Sequence, residues 1–151
     1  MIEGVSTKKL KVMPDERGRL MEILRVDDAL FEKFGQVYMT TTHPGVIKAW
    51  HYHKLQDDNV CVVRGMLKLA LFDDRQGSPT RGEVNEFFLG EHNPLLVHIP
   101  KNVYHGWKCV SAAEALVINV SSELYRHQAP DEVRLPPHDN QIPYDWSRHD
   151  G

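Results

Sequence analysis

The segment VCVVRGMLKLALFDD, residues 60–74, contains the strongest indication of the fold class. Its first part, VCVV, is apolar at every position, whereas its second part, MLKLAL, alternates once between apolar and polar residues. Gly65 separates the two parts and is typical of a turn between strands. We therefore predict two β-strands, the first fully buried and the second half-buried.

Six further short runs of this kind lie on both sides of the segment, separated by Gly, Pro, Asn and Asp. They are QVYMTTT (36–42), VIKAWHYH (46–53), EVNEFFLG (83–90), LLVHIP (95–100), GWKCVS (106–111) and EALVINVS (114–121). Turns every eight to twelve residues or so are typical of an all-β sandwich or barrel. The best helix candidate is VDDALFEKF (26–34), with Asp27 or Asp28 as its N-cap and Gly35 at its end.

Length and composition indicate one ordinary globular domain over residues 1–151, with 41% hydrophobic and 26% charged residues. The net charge of −3 gives no electrostatic reason to expect nucleic acid or an anionic membrane as a partner. Cys61 and Cys109 lack the spacing of a disulfide framework or a zinc knuckle. There is no apolar run near the ~18 residues of a membrane span and no signal sequence, so we expect a cytoplasmic protein.

The segment after Ser122, LYRHQAPDEVRLPPHDNQIPYDWSRHDG, is rich in proline and charge. It carries two aromatic residues near its end, Tyr144 and Trp146, and rings of this size bury about 150–250 Å² each when they pack. We therefore predict that this segment is ordered and wraps over the barrel.

The densest group of chemically active residues is WHYHKLQDD, residues 50–58. His51 and His53 are two positions apart, so in a strand both imidazoles project from the same face. His105 follows the turn IPKNVY and can reach the same interior. A single strand histidine is usually structural, but two on one face joined by a third favour a functional site.

The spacing of Gly45, His51, His53, Asp58 and Gly65 resembles the first cupin motif, with Asp in place of the usual Glu. The second motif would run from Pro100 to His105, with Asn102 where glycine is usual and Cys109 where asparagine is usual. The resemblance implies a possible set of metal ligands with three nitrogens and one oxygen, suited to Fe, Mn, Ni or Zn: His51, His53, Asp58 and His105.

A closer resemblance covers nearly the whole chain. Its blocks are DERGRLMEILR (15–25), PGVIKAWHYHK (44–54), VVRGMLKLALFDDR with GSPT (62–80), IPKNVYHGWKCVS (99–111) and LYRHQAPDEVRLPPHDNQIPYDW (124–146). In this order they resemble the dTDP-4-dehydrorhamnose 3,5-epimerases, particularly a compact variant. That family is a metal-independent branch of the cupin jelly roll, usually dimeric, which inverts C3 and C5 of a nucleotide-linked 4-keto-6-deoxy sugar. The resemblance implies an isomerase without a cofactor, a nucleotide-diphosphate sugar as substrate and a homodimer.

The resemblance also implies a role for individual residues. The catalytic group would be His51 as base, Asp139 as the carboxylate partner of that base and Tyr125 as general acid. The substrate-binding group would be Arg17, Glu22, Lys48, His53, His105 and Arg134. Three positions depart from the family: Lys48 replaces an arginine, His53 replaces a glutamine, and Asn119 stands where the family has the tyrosine usually taken as the acid.

The predicted chemistry follows from the ketone at C4, which acidifies the hydrogens at C3 and C5 because an enolate can form. A neutral imidazole has a pKa near the working pH and suits the base. Two other functions remain open. One is a metal-dependent cupin enzyme that uses the four candidate ligands, and the other is a non-catalytic cupin that binds a nucleotide sugar.

Overall fold

The computed structural model describes residues 1–150, which form twelve β-strands. They are β1 (Ser6–Lys9), β2 (Val12–Asp15), β3 (Gly18–Met21), β4 (Gln36–Thr42), β5 (Ile47–Tyr52), β6 (Asp58–Arg64), β7 (Met66–Phe72), β8 (Val84–Gly90), β9 (Leu95–Ile99), β10 (Tyr104–Cys109), β11 (Ala115–Ser121) and β12 (Val133–Arg134). The eight strands predicted from the sequence all form, with ends that differ by at most two residues.

The strands build two antiparallel five-stranded sheets, in the orders β1-β9-β6-β11-β4 and β12-β5-β10-β7-β8, while β2 and β3 form a separate hairpin. Apolar side chains from both sheets meet in one core, with Val62 of β6, Leu69 of β7 and Val117 of β11 among them. This arrangement confirms the predicted all-β cupin-type jelly roll. In β11 every second residue is buried, so that strand turns one face to the interior.

β6 is buried at its first five positions, which confirms the predicted burial for residues 60–62, whereas Val63 is only partly buried. The prediction that β7 is half-buried is wrong. The outer face of β7 is covered by residues near the C-terminus. Lys68, only 4% exposed, donates a hydrogen bond of 3.0 Å to the carbonyl of Ser147. Ala70 packs in a second cluster that includes Trp146. The coverage of this face therefore depends on a segment distant in sequence.

The prediction of a helix over residues 26–34 is also wrong, because the segment forms turns. Nine residues are few for a helix, since its first turn is costly to nucleate. Asp28 binds the ammonium of Lys8 and accepts a 2.8 Å hydrogen bond from the backbone of Arg25, which lies before it in the chain. These contacts hold Asp28 in a turn. Among the described residues, no helix is long and apolar enough to cross a membrane.

The pairing of β5 with β10 brings the predicted histidines together. His51 lies opposite His105, and Lys48 lies opposite Trp107. The register shifts between these two pairs, because Ala49 and Trp50 of β5 lie opposite the single residue Gly106 of β10, and this forms a β-bulge in β5. The two imidazoles therefore meet beside an irregularity in the sheet, a location that is common next to active sites.

Candidate active site

A cavity of 460 Å³ opens beside β5 and is bounded by residues from both sheets. The polar and aromatic groups on its wall include Tyr38, Thr40, Lys48, His51, Trp107, Glu132 and Arg134. Tyr38 and Thr40 belong to β4 in the first sheet, and His51 belongs to β5 in the second. A ligand in the cavity would therefore contact side chains from two sides.

His51 is half-buried at the cavity wall. The centre of its ring lies 4.1 Å from that of His105, 5.8 Å from that of His53 and 5.9 Å from that of Trp107. Burial and, after it, the neighbouring His105 hold the pKa of His51 well below its ordinary value. The imidazole is therefore neutral near pH 7, the state in which it can accept a proton.

His53 and His105 direct their Nε2 atoms toward one buried carboxylate. Oδ2 of Asp58 lies 3.4 Å from Nε2 of His53 and 3.3 Å from Nε2 of His105. Nδ1 of His53 lies against the carbonyl of Asp131, and Nδ1 of His105 lies 3.0 Å from the carbonyl of Val103. Because a carbonyl oxygen only accepts hydrogen bonds, each Nδ1 carries a hydrogen. This fixes the orientation of both rings.

Asp58 is ionised in these surroundings. Burial by itself would raise its pKa, but the close contact with His105 and the electrostatic effect of both histidines hold the pKa well below its usual range. A hydrogen bond from the amide of Asn119 acts in the same direction. The buried negative charge of Asp58 is therefore balanced by the imidazoles around it.

The second oxygen of Asp58, Oδ1, accepts hydrogen bonds of 2.7 Å each from the side-chain amides of Gln56 and Asn119. The same nitrogen of Asn119 donates to the hydroxyl of Tyr38 over 2.9 Å. The backbone N–H of Asn59 donates to Oδ1 of Asn119 over 3.1 Å and so fixes which way its amide faces. Asn119 thereby connects the buried carboxylate to the cavity wall.

Two further predicted residues lie in the cavity wall. Lys48 donates hydrogen bonds of 3.0 Å to the hydroxyl of Thr40 and 2.7 Å to the carbonyl of Thr41. Arg134 donates bonds of 2.9 Å and 2.6 Å to one oxygen of Glu132. Both cations therefore line the cavity beside His51. Lys48 is held by neutral oxygens, and Arg134 is held by the carboxylate of Glu132.

Six predicted residues lie outside the cavity lining: His53 and His105, which are buried beside His51, and four residues that lie elsewhere. Arg17 pairs with Asp15 at the turn between β2 and β3, and Glu22 pairs with Arg25 over 2.8 Å. Tyr125 is 45% exposed, and Asp139 is exposed in a turn with a φ of 58°. The roles predicted for these four residues stay predictions.

The cavity residues that sequence reasoning did not find include Tyr38 and Glu132. The alternation of β4 could have indicated Tyr38, because Tyr38, Thr40 and Thr42 project from the same face of the strand. Thr42 accepts a hydrogen bond from Trp107, another residue of the cavity wall, so this face is turned toward the cavity. Glu132 lies in the irregular C-terminal segment, where the sequence has no periodicity to place it.

Three histidines also satisfy the geometric condition for a metal site. His51, His53 and His105 each offer a ring nitrogen, and these nitrogens lie within 4.8 Å of one another. Imidazole nitrogens with a nearby carboxylate suit Zn, Fe, Mn or Ni. The arrangement therefore provides the ligands that the metal-dependent alternative requires.

A jelly roll with a half-buried histidine on the wall of a polar cavity is the architecture of a cupin-type enzyme. Residues 1–150 match the sequence model of the dTDP-4-dehydrorhamnose 3,5-epimerase family, and the chain belongs to that family. It is accordingly an isomerase of the sugar-epimerase type.

Relatives and solved structures agree with this family. The chain is 40% identical over 147 residues to the spore coat polysaccharide biosynthesis protein SpsL of Bacillus subtilis, covering 97% of each chain. It is 39% identical over 148 residues to the probable low-salt glycan biosynthesis epimerase Agl13 of Haloferax volcanii, covering 97% of this chain and 95% of the relative.

Among solved structures, a dTDP sugar isomerase from Desulfovibrio desulfuricans superimposes with a TM-score of 0.92 at 31% identity, covering 99% of this chain and 94% of the other. The epimerase RmlC from Legionella pneumophila, solved in complex with dTDP-4-keto-L-rhamnose, gives a TM-score of 0.84 at 27% identity. That comparison covers 96% of this chain and 79% of the Legionella chain.

Proposed function

We propose that the protein epimerises C3, C5 or both carbons of a nucleotide-linked 4-keto-6-deoxy sugar, with His51 as the base. The observation that carries this proposal is the position of His51, a neutral imidazole on the wall of a polar cavity. A base that must remove a proton near pH 7 needs a free lone pair on its nitrogen. Burial disfavours the protonated imidazole and so keeps this lone pair free.

In this reaction, His51 removes the hydrogen at C3 or C5, and the electrons of the C–H bond move to the C4 carbonyl oxygen to form an enolate. Donors near that oxygen stabilise its negative charge. Lys48 carries an ammonium at the cavity wall and is suited to this stabilisation. The two ring nitrogens of His105 already face the carbonyl of Val103 and the carboxylate of Asp58, so His105 acts here as a neighbour of His51.

The substrate class is supported by the cations of the cavity and by the relatives. A diphosphate has a negative charge that Arg134, on the cavity wall, is suited to neutralise. The Legionella structure contains a dTDP-linked 4-keto sugar. We therefore assign a nucleotide-diphosphate sugar to the cavity, with Arg17, Glu22 and His53 as further predicted substrate contacts and Asp139 as the predicted partner of His51.

We also propose that the protein works as a homodimer. β4 forms an edge of its sheet, and Val37 and Met39 on this strand are each 57% exposed. Leu20 on the β2–β3 hairpin is exposed to the same extent. Exposed apolar residues at a sheet edge are suited to pairing with a second copy. A monomeric mass in light scattering at micromolar concentration would contradict this assignment.

Hydrogen exchange tests the central proposal. The protein is incubated in heavy water with dTDP-4-keto-6-deoxyglucose, and NMR follows the replacement of hydrogen by deuterium at C3 and C5. We expect exchange with the wild-type protein and a loss of at least about 100-fold in His51→Asn. The matched control is His92→Asn, which changes an exposed histidine outside the cavity and should retain exchange.

The result also separates the proposal from the non-catalytic alternative. A protein that binds the nucleotide sugar in calorimetry but leaves its C3 and C5 hydrogens in place would be a binding module. Exchange at a wild-type rate in His51→Asn would remove His51 from the role of base.

The metal-dependent alternative is favoured by the three converging histidines. A metal ion bound to His51 would occupy the lone pair that the base requires, so both roles cannot hold at once. We expect full exchange activity in EDTA and no stoichiometric metal in the purified protein. One equivalent of Fe, Mn, Ni or Zn, with activity lost on chelation and restored by that metal, would favour the alternative.

A further inference from the structure

We propose that Tyr38 is the general acid that delivers the new proton to the sugar, an assignment that rests on the proposed epimerase function. In the structure, Asn119 of β11 lies directly opposite Tyr38 of β4. The hydroxyl of Tyr38 accepts a hydrogen bond from Asn119, and Tyr38 lines the same cavity as His51.

The hydrogen bonds around Tyr38 leave its proton available for a substrate. Oδ1 of Asn119 accepts from the backbone of Asn59, so its Nδ2 must be the atom that faces Asp58 and Tyr38. One N–H of this amide donates to Asp58 and the other donates to the hydroxyl of Tyr38. The phenol oxygen therefore acts as acceptor in this bond, and its own O–H is free to donate to a ligand in the cavity.

The base and the proposed acid belong to different sheets. His51 lies on β5 in the sheet that contains β10, whereas Tyr38 lies on β4 at the edge of the other sheet. Both side chains line one cavity. Inversion of a carbon requires that a proton leaves from one face of the sugar ring and another arrives on the opposite face. Two groups supplied by opposite sheets meet this requirement.

Each atom of the step is accounted for. His51 takes the C–H proton, and the electron pair of that bond forms the enolate through the C4 carbonyl. The enolate carbon then takes the O–H proton of Tyr38 from the other face, and the C4 ketone is restored. The enzyme is left with an imidazolium at His51 and a phenolate at Tyr38, and exchange of one proton with water at each group returns both to their starting states.

Two features of the surroundings keep Tyr38 protonated until it is needed. Burial and the nearby carboxylate of Asp58 raise its pKa to about 12, while the hydrogen bond from Asn119 acts in the opposite direction. The acidic side chain of Glu132 also faces the cavity and contributes to the raised pKa. A phenol with these neighbours carries its proton throughout the physiological range.

The experiment compares two readouts in Tyr38→Phe: exchange of the substrate hydrogen with heavy water, and formation of the inverted sugar. We expect inversion to fall by at least about 100-fold. Exchange should continue, because His51 can return a deuteron to the same face. A residue that only positions the substrate would lower both rates together. The matched control is Tyr52→Phe, whose ring packs against Tyr104 outside the cavity and which should retain both rates.

A second substitution, 3-fluorotyrosine at position 38, makes the assignment testable even if Tyr38→Phe folds poorly. The fluorine makes the phenol a stronger acid, so the ratio of inversion to exchange should change if Tyr38 delivers the proton. Inversion by Tyr38→Phe within about threefold of wild type, or an unchanged ratio of inversion to exchange in the fluorinated protein, would overturn the proposal. The absence of exchange in the wild-type protein would instead refute the epimerase function itself.

Discussion

Nε2 of His105 lies 3.3 Å from Oδ2 of Asp58, and both side chains are buried. Through its other oxygen, Asp58 also holds the amide of Asn119, which in turn holds the hydroxyl of Tyr38. One ionised carboxylate therefore orients groups on both sides of the cavity. Its surroundings are important for stability as well, because a buried carboxylate is costly unless neighbouring groups compensate its charge.

Asp58→Asn should therefore destabilise the protein strongly. The variant keeps the shape of the side chain but removes the negative charge, and loss of one partner of a buried ion pair typically costs about 3–5 kcal/mol. Urea unfolding at pH 7 measures this loss. The control is Asp74→Asn, which removes an exposed pair with Arg81 and should cost less than about 1 kcal/mol. Equal stabilities of the two variants would contradict the role given to Asp58.

The sequence predicts the strands and the meeting of the histidines well because both depend on short-range periodicity. The strand predicted at 36–42 is found as β4 with the same ends, and His51 and His53 share a site because they are two positions apart. His105 joins them because a turn directs the next strand back alongside β5. These features require only local patterns and the general properties of an antiparallel sheet.

Features that depend on distant contacts could not be predicted. The bond between Tyr38 and Asn119 depends on the register of β4 against β11, which no local pattern specifies. The segment predicted as a helix is held in turns by Lys8, which lies about twenty positions before Asp28. Burial of Lys68 on β7 depends on Ser147, which lies 79 positions later, near the C-terminus.

Gly106→Ala should disrupt the site through the backbone. A Cβ at position 106 would lie 2.3 Å from the Cβ of Ala49, which is far too close, so β5 and β10 would have to separate. Because His51 and His105 are carried by these two strands, we expect exchange at C3 and C5 to fall at least about tenfold. The deuterium exchange assay measures this effect.

The control for this variant is Gly77→Ala, where a Cβ would have open space but the backbone φ is +80°. We expect a cost of about 1–2 kcal/mol from the left-handed conformation, with unchanged exchange activity. Wild-type activity in Gly106→Ala would show that the close approach of β5 and β10 is not required.

Trp146→Ala should weaken the outer side of the second sheet. Trp146 is 1% exposed, and its ring centre lies 5.0 Å from that of Trp50, the residue that precedes His51. Truncation of a buried tryptophan costs about 3–5 kcal/mol. Thermal and urea unfolding measure the loss, and Leu124→Ala, at a position that is 65% exposed, should change stability by less than about 0.5 kcal/mol. A comparably small effect of Trp146→Ala would mean that this packing contributes little.

Acid should destabilise the protein in two steps. The pKa of His51 is lower in the folded protein than its ordinary value, so below about pH 6.5 the unfolded chain binds a proton that folded His51 does not. The free energy of unfolding therefore falls as pH decreases through this range. Asp58 adds a second loss below about pH 4, because its folded pKa also lies below its ordinary value.

Urea unfolding at constant ionic strength from pH 8 to pH 4.5 measures the first step. His51→Asn removes the histidine that resists protonation. The free energy of unfolding of this variant should therefore decline less steeply between pH 6.5 and 4.5 than that of the wild type. Equal slopes would show that His51 accepts a proton as readily in the folded protein as in the unfolded chain.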